Sequence, residues 1–439
     1  MHKLLLLFCF ISVTVFAQTN WPLTKASTSV QVAIPSEFGI AAQQPLANTG
    51  WEDGVFISRD GLNLYSLYLP ADALKWSIDG APCHFTAYQR GPTFGMDLIT
   101  SPVPTCTVWL HADILISSRT STSVPFPAWS MSNLQGPIYS EGAPQMSLTS
   151  PTLADIVVFT SNKLPPYNTD VYMIRNSSIN PSASSATILP APVTQTTTED
   201  NPHLERLNAN DLVLFFDSPD RPSAVGGLDL WYATSNDNGG TWSNPQQVSS
   251  LNTTGNEHQP HLYKDAMNQW WLYYTTPDIS GKYAIYRSQQ TVPGNWDSWG
   301  PKQLVVGPGN SAGIGEPTLT QNGDLSFVVV MEDPNFTSTD RFDADPWFLP
   351  KLNSTSIGEN SKAKILLFPN PTQSTLKILL PDTEEYYISL SNILGEELMF
   401  VKAEKSLDLD KNIYGEGIFF VKIYRNATLI TTQKIIFTK

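Results

Sequence analysis

Four prolines, Pro144, Pro202, Pro260 and Pro317, stand 58, 58 and 57 residues apart, and each opens a similar stretch of text. A period in this range means one supersecondary unit repeated until its copies bury one another's apolar faces. The stretches read Pro-Gln-Met-Ser-Leu, Pro-His-Leu-Glu-Arg, Pro-His-Leu-Tyr-Lys and Pro-Thr-Leu-Thr-Gln. Each is followed by a strand-like run, Ile156–Thr160, Leu212–Phe216, Trp270–Thr275 and Ser326–Met331, and then by a third strand at Asp170, Asp229, Tyr283 or Asp345. β-branched and aromatic runs bounded by Gly, Pro, Asn and Ser are strands joined by tight turns.

A further copy begins at Glu52, with Asp113 opening its third strand, and it carries an insertion at about 76–108. The last copy lacks a fourth strand, which Phe38–Leu46 supplies from the N-terminus, so the ring closes and hides its edges. The expected fold is all-β: a five-bladed β-propeller over about 28–350, then a small C-terminal β-sandwich.

The first 17 residues combine Lys3, an apolar run from Leu4 to Phe16 and a small Ala17 before Gln18, which is the pattern of a removable secretory signal. The run is too short to span a bilayer and no later run is long enough. Export carries Cys83 and Cys106 into an oxidising compartment, where a disulfide stapling the insertion is expected. The formal net charge of −14, with no Lys/Arg cluster, excludes nucleic acid as a partner. The mature chain is expected to be a monomer.

Residues 351–361 are polar and aperiodic, a linker. Beyond them Trp disappears and short strands follow. Pro369-Asn370-Pro371, Ile393-Leu394-Gly395, Gly417-Ile-Phe-Phe-Val-Lys422 and Lys434-Ile-Ile436 appear in that order to the end of the chain. This resembles the type A C-terminal sorting domain of the type IX secretion system of Bacteroidetes, over about 362–439. The resemblance implies passage through the Sec and type IX machinery, with release or attachment at the cell surface.

Two shorter resemblances fall in the repeats. Ser235-Asn-Asp237-Asn-Gly239-Gly-Thr241-Trp242 is similar to the Asp-box of sialidase-like propellers, a structural turn. Phe56–Leu64 resembles the TolB-like propeller repeat, with Arg59 where that family has Pro. Sialidase chemistry needs converging arginines and an Arg-(Ile/Leu)-Pro motif, which the mature chain lacks. Arg119, Arg175 and Arg287 are expected in surface or inter-blade ion pairs.

Side chains of a propeller's inner strands alternate between blade core and central channel. With Met146, Leu204, Leu262 and Leu319 on the core side, strict alternation sends Glu52, Glu141, Gln145, Glu199, Asn201, His203, Glu257, Gln259, His261, Glu316 and Thr318 into the channel. The five glutamates are the candidate catalytic residues. Gln145, Asn201, Gln259 and Thr318 are candidate binding groups, and His203 with His261 a candidate site for a divalent cation. Three functions fit this set. The first is extracellular glycan binding with acid–base hydrolysis, resembling family 43 and family 32 glycoside hydrolases, with Trp51, Trp270 and Trp271 as sugar platforms. The second is a non-catalytic surface propeller, and the third a metal-dependent polysaccharide lyase resembling TolB-like lyases.

Overall fold

The computed structural model describes residues 20–80, 85–94, 112–136, 139–164, 168–337, 339–352, 365–380, 385–425 and 428–439. Cys83, Cys106 and the signal segment lie outside them. The chain divides into two compact units, Met1–Asn353 and Ser354–Lys439.

The first unit consists of five antiparallel meanders. The first runs Trp51–Ile57, Asn63–Leu69, Asp113–Ser118, Ser130–Met131, and the second Glu141–Ser150, Leu153–Ser161, Asp170–Ser178, Thr187–Ile188. The third runs Asp200–Arg206, Leu212–Ser218, Asp229–Ser235, Gln246–Gln247, and the fourth His258–Lys264, Trp270–Pro277, Tyr283–Gln289, Gln303–Gly307. The fifth has three strands of its own, Gly313–Leu319, Leu325–Thr337 and Asp340–Leu349, and Ala42–Gln43 pairs with the last of them. The N-terminal segment thus supplies the missing strand, as its text implied. It also lays Gln31–Val32 on the outer edge of the fourth meander, an additional pairing that the repeat text did not reveal.

The first strands of the meanders touch in a closed cycle, each meeting the next and the fifth meeting the first. Five apolar cores fill the gaps. Phe56, Tyr65 and Ile114 meet Val157, Phe159 and Tyr172 between the first and second meanders. Corresponding cores lie between second and third, third and fourth, and fourth and fifth. Val328 and Ala344 of the fifth meet Val55, Ile57 and Leu64 of the first. These five cores lie between meanders, so each one's main apolar faces are buried by its neighbours. Each buried Phe or Leu contributes about 1.5–3 kcal/mol.

The insertion is longer than its composition suggested. The second strand of the first meander ends at Leu69 and the third begins at Asp113, and the helix Ala73–Asp79 already belongs to the excursion. Asp72 caps that helix, its carboxylate accepting from Lys75 N at 2.8 Å.

Residues Ser235 to Trp242 form a tight turn. Asp237 accepts from the Thr241 backbone at 2.9 Å and from its hydroxyl at 2.7 Å, while Gly239 N donates to Ser235 Oγ at 2.7 Å. Gly239 holds φ +79°, and Trp242 is buried between the second and third meanders.

The second unit has two sheets, one of three strands and one of four, around a single core that includes Leu376, Ile388, Val421 and Ile435. Asn370 ties its first strand to its last, accepting from Ile436 N at 2.9 Å and donating to Lys434 O at 2.8 Å. Gly395 and Gly417 take positive φ where the chain turns.

Candidate active site at the channel mouth

Each inner strand carries a bulge at the same place. Asp200 pairs with Asp217 and His203 with Phe215, so three steps on one strand face two on the other. The same shift lies between Asp53 and Phe56, Gly142 and Gln145, His258 and His261, and Gly315 and Thr318. The extra residue is Gly54, Ala143, Asn201, Gln259 or Glu316, and all five are left-handed, with φ between +44° and +57°. For the four that are not glycine this costs about 1–2 kcal/mol each, and such strain collects at functional sites. Proline follows the bulge in four of the five copies because it has no N–H left unpaired there.

The bulge reverses the alternation, and with it the expectation for three glutamates. Asp53 and Asp200 line the mouth of the channel, while Glu52, Glu199 and Glu257 turn to the seams between meanders; Glu141 clamps its own seam and also borders the mouth cavity. Each fastens the loop entering its own strand. Glu52 accepts from Asn48 N and Trp129 Nε1, and Glu141 from Gly136 N and Ser161 Oγ. Glu199 binds Thr197 and Arg221, and Glu257 accepts from Thr253 and Thr276. The backbone N–H groups of Glu141, Glu199 and Glu257 donate to Ala112, Thr169 and Leu228 of the preceding meander. Burial raises Glu141 and Glu199 to about 7. Glu52, Glu199 and Glu257 are seam clamps away from the mouth cavity, whereas Glu141 is a clamp that also borders it.

Glu316 does face the channel, and the bulge brings two aspartates to it, Asp53 and Asp200, that alternation had hidden. It shares a cavity of about 230 Å³ with Asp53 and Asp200, with Asn201 and Gln259 beside them. Asp217, on the neighbouring strand, accepts from Asn201 Nδ2 at 2.9 Å and from Gln259 N at 2.8 Å. Gln259 donates to Glu316 at 2.6 Å and accepts from Glu316 N at 3.1 Å. A Cβ on Gly315 would meet Gln259 Oε1 at 2.5 Å, so glycine there preserves this clasp.

Burial, and then the charges of Asp53, Asp200 and Asp217, hold Glu316 well above the usual carboxylate range. Asp200 and Asp217 are raised by burial and by neighbouring aspartates, Asp53 by burial against the hydrogen bond from Trp51 Nε1 at 2.9 Å. Four crowded carboxylates cannot all ionise, so the cluster retains protons at neutral pH. The missed aspartates had one readable signal: a proline within a central strand belongs at a bulge.

Deeper along the axis the channel is filled. Below a void of about 20 Å³, room for one water, the rings of His203 and His261 meet edge to face, 4.2 Å between centroids. The two rings touch directly, with no space for an ion or a water between them. His261 Nε2 accepts from Leu319 N at 3.1 Å, and its Nδ1 is 3.4 Å from Gln145 Nε2. His203 Nε2 lies 3.5 Å from Glu205 Oε2. Thr318 Oγ1 accepts from Ile57 N, and Arg59 ties Glu205 to Leu262 O and Leu319 O. Both His261 nitrogens are engaged, and the two packed rings plug the axis. Among the described residues no group of three His, Cys, Asp or Glu is placed to hold a metal.

The aromatic platforms reduce to one. Trp51 stands at the mouth, whereas Trp270 packs on Trp296 and Trp271 lies under Arg287. Arg287 pairs with Glu37 and Arg119 donates to Gly61 O, both structural.

No curated protein matches the chain. Among solved structures it is similar to the catalytic domain of the Coprinopsis cinerea GH62 α-L-arabinofuranosidase, at 10% identity and TM-score 0.42 over 70% of this chain and 92% of that one. It is also similar to an α-L-arabinofuranosidase from Lactobacillus brevis, at 11% and 0.41 over 69% and 92%. A third is an exo-β-1,3-galactanase from Phanerochaete chrysosporium, at 9% and 0.39 over 90% and 100%. No helix among the described residues is long and apolar enough to cross a membrane. Residues 366–438 match the secretion system C-terminal sorting domain, and the protein is therefore delivered by type IX secretion to the cell surface or beyond it.

Proposed function

We propose that the exported unit is a five-bladed β-propeller that binds an extracellular glycan at its carboxylate mouth and hydrolyses a glycosidic bond there. The observation that carries this reading is the convergence of Asp53, Asp200 and Glu316, from three different meanders, on one cavity, with Asp217 behind them. Glu316, kept protonated by burial and by the aspartates, donates its proton to the leaving oxygen. Asp53, oriented by Trp51, accepts a proton from the water that attacks the sugar carbon. Asp200 and Asp217 share a proton and hold Glu316 in its acid form. The bond broken is the glycosidic C–O, and the water's hydroxyl and proton end on the two products.

The same reading takes residues 1–17 as a cleaved signal, 28–350 as the propeller, 351–361 as the linker and 362–439 as the sorting sandwich. It keeps Cys83 and Cys106 as a disulfide. Incubating the secreted protein with a panel of plant and algal polysaccharides tests the activity through the release of reducing ends. Release from at least one substrate, abolished in Glu316→Gln, is the expected result. Binding without release from any substrate overturns hydrolysis and leaves a lectin-like mouth.

A further inference from the structure

The second meander brings to the carboxylate cavity a group that acid–base chemistry does not use. Asn162, just beyond the strand Leu153–Ser161, lines the cavity and is 5% exposed. It is clasped to Ser140: Ser140 N donates to Asn162 Oδ1 at 3.1 Å, and Asn162 N donates to Ser140 O at 3.4 Å. A backbone N–H can only donate, so the first bond fixes which end of the amide is oxygen and leaves Nδ2 as a donor. Nδ2 makes no hydrogen bond among the described residues and stays open to the cavity. The other amides there are engaged. Asn201 Nδ2 donates to Asp217 and Gln259 Nε2 to Glu316. Among the described residues, Asn162 therefore holds the one side-chain amide N–H of this wall left for a ligand.

Charge and size narrow what that ligand is. Among the described residues lining the cavity there is no Lys, Arg or His, whereas Asp53, Glu141, Asp200 and Glu316 all line it. A carboxylate or sulfate on the ligand would meet like charge there with no counter-charge. An ammonium would favour the ionised form of Glu316 and so remove the proton that cleavage needs. Hydroxyls satisfy both constraints, because each can donate to a carboxylate and accept from an N–H. The cavity of about 230 Å³ holds one hydroxylated ring, given that about 150 Å³ is enough for benzene. Below it the narrow void and the paired histidine rings close the axis.

We propose that this cavity takes one uncharged sugar ring and that Asn162 selects it, Nδ2 donating to a ring hydroxyl. The inference rests on the glycan reading of the mouth and narrows the substrate class. The sugar residue at the carboxylates bears no carboxylate, sulfate or amine.

Saturation-transfer NMR on the secreted protein tests this with free sugars as probes. Glucose, galactose, xylose and arabinose are the neutral set, and glucuronic acid, galacturonic acid and glucosamine the charged set. At least one neutral sugar should bind with a Kd of about 1–10 mM, and every charged sugar at least about tenfold more weakly. Asn162→Asp keeps an acceptor for Ser140 N but removes the amide N–H, so it should weaken neutral-sugar binding about tenfold while the protein stays folded in a thermal melt. Should Asn162→Asp not fold, Asn162→Ala is read in its place. Neutral-sugar binding indifferent to position 162, a charged sugar bound as tightly as the neutral ones, or no binding of any neutral sugar overturns the proposal. Binding as stated without release of sugar from any polysaccharide refutes hydrolysis and leaves the sugar site standing. Release of a charged sugar that depends on Glu316 does the reverse.

Discussion

A single residue in each repeat decides which carboxylates reach the channel. Reading the inner strands as unbroken alternation selected five glutamates, and Glu316 reaches the channel as the bulge residue itself. Glu52, Glu199 and Glu257 turn away because a bulge beyond them reverses the parity, whereas Glu141 still borders the mouth cavity. Beyond the bulge the parity count from Met146, Leu204, Leu262 and Leu319 is undisturbed: Gln145 and Thr318 border the axial void, and the rings of His203 and His261 meet. Asp217 was out of reach of such counting, since it belongs to a second strand and enters the cluster only through Asn201 and Gln259. A pair of substitutions separates the two classes of glutamate. Glu316→Gln should lower glycan hydrolysis by about 10²–10⁴-fold, the usual contribution of a positioned general acid. Glu257→Gln should leave the turnover of folded protein unchanged and lower the melting temperature, because it loses bonds to Thr253 and Thr276. Rates per folded molecule and thermal melts measure both.

The meanders and their order were readable from the proline period and the strand-like runs between. So was the closing strand, because Phe38–Leu46 carries the text of a fourth strand. The helix Trp21–Ser27 was not foreseen, and it matters at the seam between the fifth and first meanders. Its Lys25 reaches Asp343 at 2.9 Å and Asp345 at 2.8 Å, beside buried Glu52. Removing one partner of a buried ion pair strands the other charges. Lys25→Ala should therefore cost about 3–5 kcal/mol in a denaturant melt, and an unchanged midpoint would show the helix to be ornamental. The other seams carry buried carboxylates held up by desolvation: Asp113, Glu141 and Glu199 at about 7 and Asp170 at about 6. Each binds its proton more tightly folded than unfolded. Their contribution is therefore full below the ordinary carboxylate range and is lost as pH rises through 6 and 7. The melting temperature should be higher at pH 5 than at pH 8, as calorimetry across that range will show.

At the scale of the whole molecule, the sorting domain and the carboxylate cluster lie in separate units. The sorting unit has its own core, and the ring's five cores contain none of its residues. The sorting motifs were legible because they are local and ordered along the chain, whereas the carboxylate cluster joins residues from three repeats. Deleting 362–439 should keep the propeller in the cell envelope with an unchanged melting temperature. Surface delivery of the truncated chain would refute the sorting role. The central claim is that the bulge ring holds Glu316 protonated among three aspartates, ready to act as an acid. Carboxyl ¹³C NMR of glutamate-labelled protein tests it directly, with the Glu316 resonance assigned by its loss in Glu316→Gln. The account predicts a Glu316 carboxyl that titrates well above the ordinary glutamate range. A Glu316 resonance that titrates near the ordinary glutamate value of about 4.3 would contradict it.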